Sequence, residues 1–213
     1  MGHPGYRALW KEKTVKQEMK SVVIGVGGAG CNIVNRMTGR RFAGIKRVYL
    51  DTDMKGLLRR KVPNCHCLGE SVLAGKGASG DPGAAGTAAN ASKPTVLKAV
   101  GQAKYVVLVA GLGGGTGSGA TVAIAEILND GIRELGVVGV LPFGFEGPVR
   151  QLQAWETMQS LQKAMVDIRV VPNEDEKRER WVKKTTDFTA GFSRLNGSAI
   201  VEVMKILGRP TGG

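Results

Sequence analysis

A glycine-rich stretch in the middle of the chain combines residue types suited to binding an anion. Residues 111–119 read GLGGGTGSG, with six glycines in nine positions. Glycine has no side-chain bulk, so the backbone N–H groups of such a loop can approach a ligand closely. Thr116 and Ser118 add hydroxyl groups that can bond a phosphate oxygen or cap a helix. These residue types predict a phosphate-binding loop, here called the second glycine loop.

The segments on either side of the second glycine loop predict how it is positioned. The apolar run YVVLVA at residues 105–110 is typical of a buried strand, and residues 120–128 have apolar positions at helical spacing. A loop that enters a helix gains unpaired N–H donors and the positive end of the helix dipole. The alternative is a close-packed turn without a ligand, which would need only one or two glycines.

A first glycine loop, residues 25–30, follows another buried run, SVVIGV at residues 21–26. Gly25, Gly27 and Gly30 fit the pattern G-x-G-x-x-G, and Asp51 follows about twenty residues later. Between a strand and a helix, this pattern is the dinucleotide fingerprint of Rossmann oxidoreductases, in which the acidic residue binds the ribose. The second glycine loop is not part of that fingerprint.

Taken together, the two glycine loops resemble those of the tubulin/FtsZ family of GTP-binding cytoskeletal proteins. GGGTGSG at residues 113–119 looks like the family's signature loop, and VVIGVGGAGCNIVNRM at residues 22–37 resembles its first nucleotide loop. The resemblance implies that both loops cradle the phosphates of GTP or GDP. The residues concerned are Gly27, Gly28, Ala29, Gly30, Cys31, Asn32, Gly113, Gly114, Gly115, Thr116, Gly117 and Ser118.

Two further segments resemble phosphate-side loops of the same family. Asp51-Thr52-Asp53 stands where FtsZ proteins have Asn-Thr-Asp, so Asp53 matches and Asp51 departs from the pattern. A carboxylate beside a triphosphate is repelled unless Mg²⁺ stands between them, which makes Mg²⁺ a possible cofactor. GASGDP at residues 77–82 resembles the loop that senses the γ-phosphate. It would bring Gly77, Ala78 and Ser79 to the nucleotide, with Lys76 as a further phosphate contact; a surface loop is the alternative.

The ribose site is expected in PFGFEG, residues 142–147, which is nearly identical to a loop of FtsZ. In the family the glutamate of this loop binds the ribose, and an arginine four residues later contacts ribose or phosphate. Those positions are Glu146 and Arg150 here. A carboxylate accepts from ribose hydroxyls and a guanidinium donates to phosphate, so both residue types suit the roles that the resemblance implies.

The guanine site is expected near the end of the chain. Pro172-Asn173 matches a family motif whose asparagine reaches the base, and an amide can distinguish guanine from adenine. Phe192 and Asn196 have the spacing of the family's stacking phenylalanine and base-bonding residue. An alternative register with Phe188 and Phe192 leaves no polar partner.

Strands and helices alternate, which predicts an α/β fold with a doubly wound, mainly parallel sheet and a nucleotide across the C-terminal strand ends. The expected strands are residues 21–26, 46–50, 65–67, 105–110, 137–141 and 167–171. The expected helices are residues 31–37, 81–102 with a break near Pro94, 120–135, 151–165 and 189–207. Residues 1–20 are expected to form a basic N-terminal extension, residues 21–207 the GTP-binding domain, and residues 208–213 a short tail.

The family's catalytic acids lie beyond the last helix and act on the nucleotide of the next subunit. The sequence has no counterpart of them after residue 207, so we expect GTPase activity to depend on a partner that supplies acids. The partners implied are further copies of the chain or a full-length FtsZ-like protein, in a cell-division role. Alternatives are a non-hydrolysing regulator or filament cap and, remotely, an NAD-dependent oxidoreductase, since the chain offers only His3 and His66 as histidines.

Composition limits the remaining function classes. The 213 residues are 42% hydrophobic, enough for one ample globular domain. The net charge of +12 suits a polyanionic ligand and also leaves open contact with nucleic acid or an anionic membrane. No signal peptide or long apolar run is present, so a cytoplasmic location is expected. A short strand is favoured over a metal site at Cys65-His66-Cys67, because no second cluster completes a tetrahedral set.

Overall fold

Six parallel strands form one sheet in the described part of the chain. The computed structural model describes residues 21–129, 133–164, 166–172 and 188–208, without the side chains of residues 188–195. The strand order is β3-β2-β1-β4-β5-β6. The strands are β1 (Ser21–Val26), β2 (Ile45–Asp51), β3 (Cys65–Cys67), β4 (Tyr105–Gly111), β5 (Glu134–Val140) and β6 (Asp167–Val171).

Eight α-helices alternate with these strands in the described residues and confirm the predicted fold class. They are α1 (Gly27–Asn35), α2 (Met54–Arg59), α3 (Glu70–Leu73), α4 (Pro82–Ala91), α5 (Lys93–Val100), α6 (Thr121–Leu128), α7 (Pro148–Lys163) and α8 (Phe188–Ile206). A π-helical turn, Thr116–Ala120, leads into α6, and short 3₁₀ turns occupy Arg40–Phe42 and Gly144–Glu146. No helix in these described ranges is both long and apolar enough to cross a bilayer.

The sheet is buried on both faces, which explains why its strands are nearly continuous apolar runs. Alternate residues of β1 point to opposite faces: Ile24 joins one core and Val23 the other. The first core also contains residues of α4, α5, α6 and α7, and the second contains residues of α1 and α8. Helices therefore cover both faces, as a doubly wound sheet requires.

The order of the strands places the two glycine loops side by side. Strand β1 lies between β2 and β4 and pairs with both in parallel register. After β1 the chain enters α1 on one face of the sheet, whereas after β4 it enters α6 on the other. Such a switch point opens a crevice at the carboxyl ends of the two strands, where ligands of α/β proteins bind.

Several helix boundaries differ from the sequence prediction. The helix expected over residues 120–135 ends at Leu128, because Asn129 takes a non-helical backbone conformation, and β5 begins at Glu134. Helix α1 begins at Gly27, four residues before the expected start, so the first glycine loop supplies its first turn. Helix α7 begins at Pro148, a residue type that the first helical position tolerates.

Other expectations are confirmed or lie outside the described residues. The break near Pro94 falls at Ser92, between α4 and α5. Cys65–Cys67 is a short strand, and β6 has the expected bounds. The N-terminal extension and the last residues of the tail lie outside the described ranges.

Candidate nucleotide-binding site

A cavity of about 840 Å³ opens at the carboxyl ends of β1, β4 and β5. Both glycine loops line it, together with the outer face of α1, the start of α7 and one residue of α8. It brings together these predicted site residues: Gly27, Gly28, Ala29, Asn32, Gly114, Gly115, Thr116, Gly117, Glu146, Arg150 and Asn196. A smaller cavity of about 430 Å³ between α6 and α7 contains none of them.

Several glycines are required by the packing of the two loops against the sheet and each other. A Cβ atom at Gly30 would overlap the Val109 carbonyl oxygen, and one at Gly117 would overlap that of Gly111. Gly27 has a φ of +69°, and its Cβ would lie 3.1 Å from the Gly117 nitrogen. These glycines let the first loop, the second loop and the end of β4 lie in direct contact.

Two glycines in the cavity wall have no such explanation within the fold. Apart from the adjoining backbone of its own loop or helix, no heavy atom of the described residues lies within 4 Å of the position that a Cβ would take at Gly28 or at Gly114. Neither residue has a positive φ, so alanine would suit the backbone at both positions. Both residues line the cavity, one in each glycine loop. A Cβ at either position would project into open space at the cavity wall.

Four predicted site residues lie behind the cavity wall and shape it. The buried Ser118 hydroxyl accepts a hydrogen bond from the Gly113 N–H at 2.8 Å, which holds the second loop closed. Cys31 packs beneath the first loop beside Gly30, and its thiol donates to the Gly25 carbonyl at 3.2 Å. Burial raises the pKa of the Cys31 thiol to about 12, so it remains a protonated donor.

The turn after β2 is tied to the second glycine loop by a pair of hydroxyls. The Oγ1 atoms of Thr52 and Thr116 lie 2.7 Å apart. Asp51 does not line the cavity; its buried Oδ1 accepts from the N–H of Thr52 at 2.8 Å and of Asp53 at 3.3 Å. The Asp51 carboxylate thus fixes this turn and does not take the ribose-binding position of the Rossmann interpretation.

Replacing Asp51 with asparagine is expected to stabilise the fold at neutral pH. Burial raises the pKa of Asp51 above its ordinary value of 3.8, although the two backbone hydrogen bonds act in the opposite direction. The folded state therefore binds this proton more tightly than the unfolded chain, and its stability falls as pH rises through the folded pKa. The asparagine side chain would keep an acceptor oxygen without the charge.

Thermal unfolding of the wild type and Asp51→Asn at pH 7.5, 6 and 5 checks this expectation. The variant should have the higher Tm at pH 7.5, and the difference should shrink as the pH approaches 3.8. A variant that is less stable at pH 7.5, or a difference independent of pH, would contradict this account of Asp51.

Residues 77–81 pack beside the second glycine loop without lining the cavity. The Gly77 N–H donates to the Thr52 carbonyl at 3.0 Å, and Ala78 is buried in the first core. A Cβ at Gly115 would meet the Asp81 nitrogen at 2.9 Å, which shows how closely this segment lies. Ser79 is exposed with a φ of +48°.

Asp53 lies between this segment and α2. It forms a backbone bridge with Lys76, and neither residue is among those that line the cavity. The Lys76 side chain is exposed. A phosphate contact from Lys76, or from Gly77, Ala78 and Ser79, therefore stays a prediction that this arrangement does not show.

The expected ribose residues form an ion pair at the rim of the cavity. Arg150 Nη1 donates to Glu146 Oε2 at 2.6 Å, and Glu146 Oε1 accepts from the Phe143 N–H at 2.9 Å. More than half of the Arg150 side chain is exposed, so the pair is weakly held and can rearrange around a ligand.

Two polar lining residues were not among the predicted site residues. Asn35 ends α1 and Arg36 caps it, and both line the cavity, where they follow Gly28 and Asn32 at helical spacing. That spacing, 28, 32, 35 and 36, is the signal that identifies this face of the helix. Of the expected base-binding residues, Asn196 is buried at the cavity. Asn173 and the Phe192 side chain lie outside the part of the chain that the structure describes.

Comparison with known proteins agrees with this arrangement. A model of the GTPase domain of the Tubulin/FtsZ family matches residues 20–177. The chain is 35% identical over 176 residues to cell division protein FtsZ 1 of Pyrococcus horikoshii. The aligned region covers 76% of this chain and 46% of that protein. It is 31% identical over 194 residues to cell division protein FtsZ of Buchnera aphidicola, covering 88% and 49% respectively.

Solved structures show the same fold. An empty FtsZ dimer of M. jannaschii has a TM-score of 0.76 at 29% identity, over 95% of this chain and 58% of that one. CetZ2 of Haloferax volcanii, solved as a GTPgS-bound protofilament, has a TM-score of 0.74 at 25% identity, over 88% and 58%. The chain spans about half the length of the curated relatives it matches. The chain belongs to the tubulin/FtsZ family, and its residues 20–177 correspond to the GTPase domain of that family.

Proposed function

We propose that this chain binds GTP and GDP in the 840 Å³ cavity and acts as an FtsZ-like cytoskeletal GTPase domain. The observation that carries the proposal is the pair Gly28 and Gly114, which line the cavity and are glycines that the fold itself does not require. Because glycine has no side chain, a phosphate could reach the backbone N–H groups of both loops. The first turn of α1 adds unpaired N–H donors at Gly28 and its neighbours.

The remaining lining residues suit the rest of a guanine nucleotide. Arg36 and Arg150 are cationic and Glu146 is the one carboxylate among the described lining residues, so the wall favours an anion. Glu146 would accept from the ribose hydroxyls by sharing the oxygen that now faces Arg150. The Asn196 amide is buried at the cavity and would bond the base. Asn173 and Phe192 are assigned to the base by resemblance.

Mg²⁺ would suit this site as an ion bound together with the nucleotide. Oxygen ligands are what Mg²⁺ prefers, and it is held largely by substrate phosphates and water. The Thr116 hydroxyl lines the cavity and is a protein oxygen of the right kind, and the buried Thr52 hydroxyl holds it at 2.7 Å. When bound, the ion would neutralise phosphate charge, while the glycine loops would position the phosphates.

Hydrolysis needs a group that orients water, and the described cavity wall lacks one. Its carboxylate, Glu146, is engaged by Arg150 and by the Phe143 N–H. We therefore propose that turnover depends on acids supplied by a second subunit. The purified chain alone should release phosphate from GTP at a rate near background, and addition of a full-length FtsZ should raise it. Brisk hydrolysis by the chain alone, abolished by Thr116→Ala, would contradict partner dependence.

Calorimetric titration of the nucleotide-free chain with GDP, ADP and NAD tests the binding proposal. GDP should bind with a Kd at least tenfold below that of ADP, because a buried amide that is paired with guanine is left mismatched with adenine. Equal affinity for GDP and ADP would contradict the proposal that the site recognises guanine. Preferential binding of NAD would favour the oxidoreductase alternative instead.

A further inference from the structure

Arg60, the residue that follows α2, fixes the first turn of α1 from outside the cavity. Its Nη1 atom donates to Asn32 Oδ1 at 2.6 Å, and its Nη2 atom donates to the Gly28 carbonyl oxygen at 3.1 Å. Both partners line the cavity, whereas Arg60 does not. One guanidinium therefore ties the end of α2 to α1, about thirty residues away in sequence.

The contact also decides which end of the Asn32 amide faces a ligand. An asparagine amide carries an acceptor oxygen on one side and a donor NH₂ group on the other, and it can turn either way. A guanidinium has only donors, so it can pair only with the amide oxygen. The Asn32 Nδ2 group has no hydrogen-bond partner within the described residues. It is left as a donor in the wall of the cavity.

We propose that Arg60 is a positioning residue of the nucleotide site, which holds the Asn32 amide so that its NH₂ group donates to an anionic oxygen of the ligand. The inference rests on the proposed function, because it needs an anion in the cavity. Arg60 acts through Asn32 and through the Gly28 carbonyl, and it does not itself reach the ligand. The family resemblance did not identify it.

A double-mutant cycle with GDP as the probe tests this role. Arg60→Met and Asn32→Ala should each weaken GDP binding about tenfold, the loss of one hydrogen bond to a charged group. If Arg60 acts through Asn32, the double variant should also be about tenfold weaker than wild type, not a hundredfold. Arg60→Lys keeps the charge but not the fork of donors, so it should recover only part of the affinity.

Arg59→Met is the matched control, because it removes the same charge from the neighbouring exposed residue. It should leave the Kd for GDP within about twofold of wild type, since an isolated exposed charge contributes little. The inference is overturned if Arg60→Met binds GDP as well as Arg59→Met does, or if the two single effects multiply in the double variant. If the wild type binds no GDP, the proposed function itself fails, an outcome visible before any variant is compared.

Discussion

Alanine at Gly28 or at Gly114 is expected to weaken nucleotide binding by about 10–100-fold while the fold remains intact. Each added methyl group would occupy open space at the cavity wall, since no heavy atom of the described residues beyond the adjoining backbone lies within 4 Å of it. The methyl group would hold a phosphate away from the backbone N–H groups, and one charge-assisted hydrogen bond is worth about 1.5–3 kcal/mol. Calorimetry with GDP gives the affinity, and thermal unfolding without nucleotide gives the stability.

Gly86→Ala in α4 is the control for this first result. Like Gly28, it is a helical glycine with room for a methyl group, whose nearest contact would be the Gly119 oxygen at 3.6 Å, an ordinary distance. It does not line the cavity, so its affinity for GDP should equal that of the wild type. If Gly28→Ala and Gly114→Ala also bind GDP as the wild type does, the two open glycines do not mark a ligand site.

Alanine at Gly117 is expected to have the opposite effect and to destabilise the fold. Its Cβ would overlap the Gly111 carbonyl oxygen, and a backbone atom at the end of β4 cannot move aside as a flexible side chain can. Overpacking of this kind costs about 1–3 kcal/mol. For a chain of this size, a cost of about 3 kcal/mol corresponds to a fall in Tm of roughly 6–12 °C.

Thermal unfolding of Gly117→Ala beside Gly114→Ala measures this contrast within a single loop. The same chemical change, three positions apart, should lower the Tm at residue 117 and leave it nearly unchanged at residue 114. Equal Tm values for the two variants would mean that the second glycine loop is not packed on β4 as described.

Most of the fold could be predicted from the sequence because its signals are local. Buried parallel strands such as β1 and β4 are short apolar runs, and the glycine loops mark where each run ends. The boundary between α6 and β5 was wrong because Leu135 continues the helical spacing by chance. Only the pairing of β5 with β4 shows that the residue belongs to a strand.

The candidate site was predicted in its location and less well in its details. Motif resemblance identified the loops, but it cannot tell a residue in the cavity wall from one behind it. Ser118 and Cys31 have polar side chains within the motifs, yet both are buried and bond to the backbone of the same loops. Arg60 was missed because its role depends on a contact between α2 and α1, which no local pattern in the sequence reveals.

The departure of Asp51 from the family pattern also has a structural explanation. From the sequence, a carboxylate at this position was expected to repel a triphosphate. In the structure the carboxylate is turned onto the N–H groups of Thr52 and Asp53 and is shielded from the cavity. Asp51 is therefore expected to lower the stability of the fold in a pH-dependent way, more than it lowers nucleotide affinity.

The most direct test of the account is to identify the nucleotide that the purified chain carries. Protein prepared without added nucleotide is denatured by heat, and the released small molecules are separated by chromatography against GTP, GDP, ADP and NAD standards. The account predicts GDP or GTP in the wild type and a much smaller amount in Gly28→Ala prepared in parallel. Release of NAD or ADP by the wild type, or an equal yield of guanine nucleotide from Gly28→Ala, would contradict it.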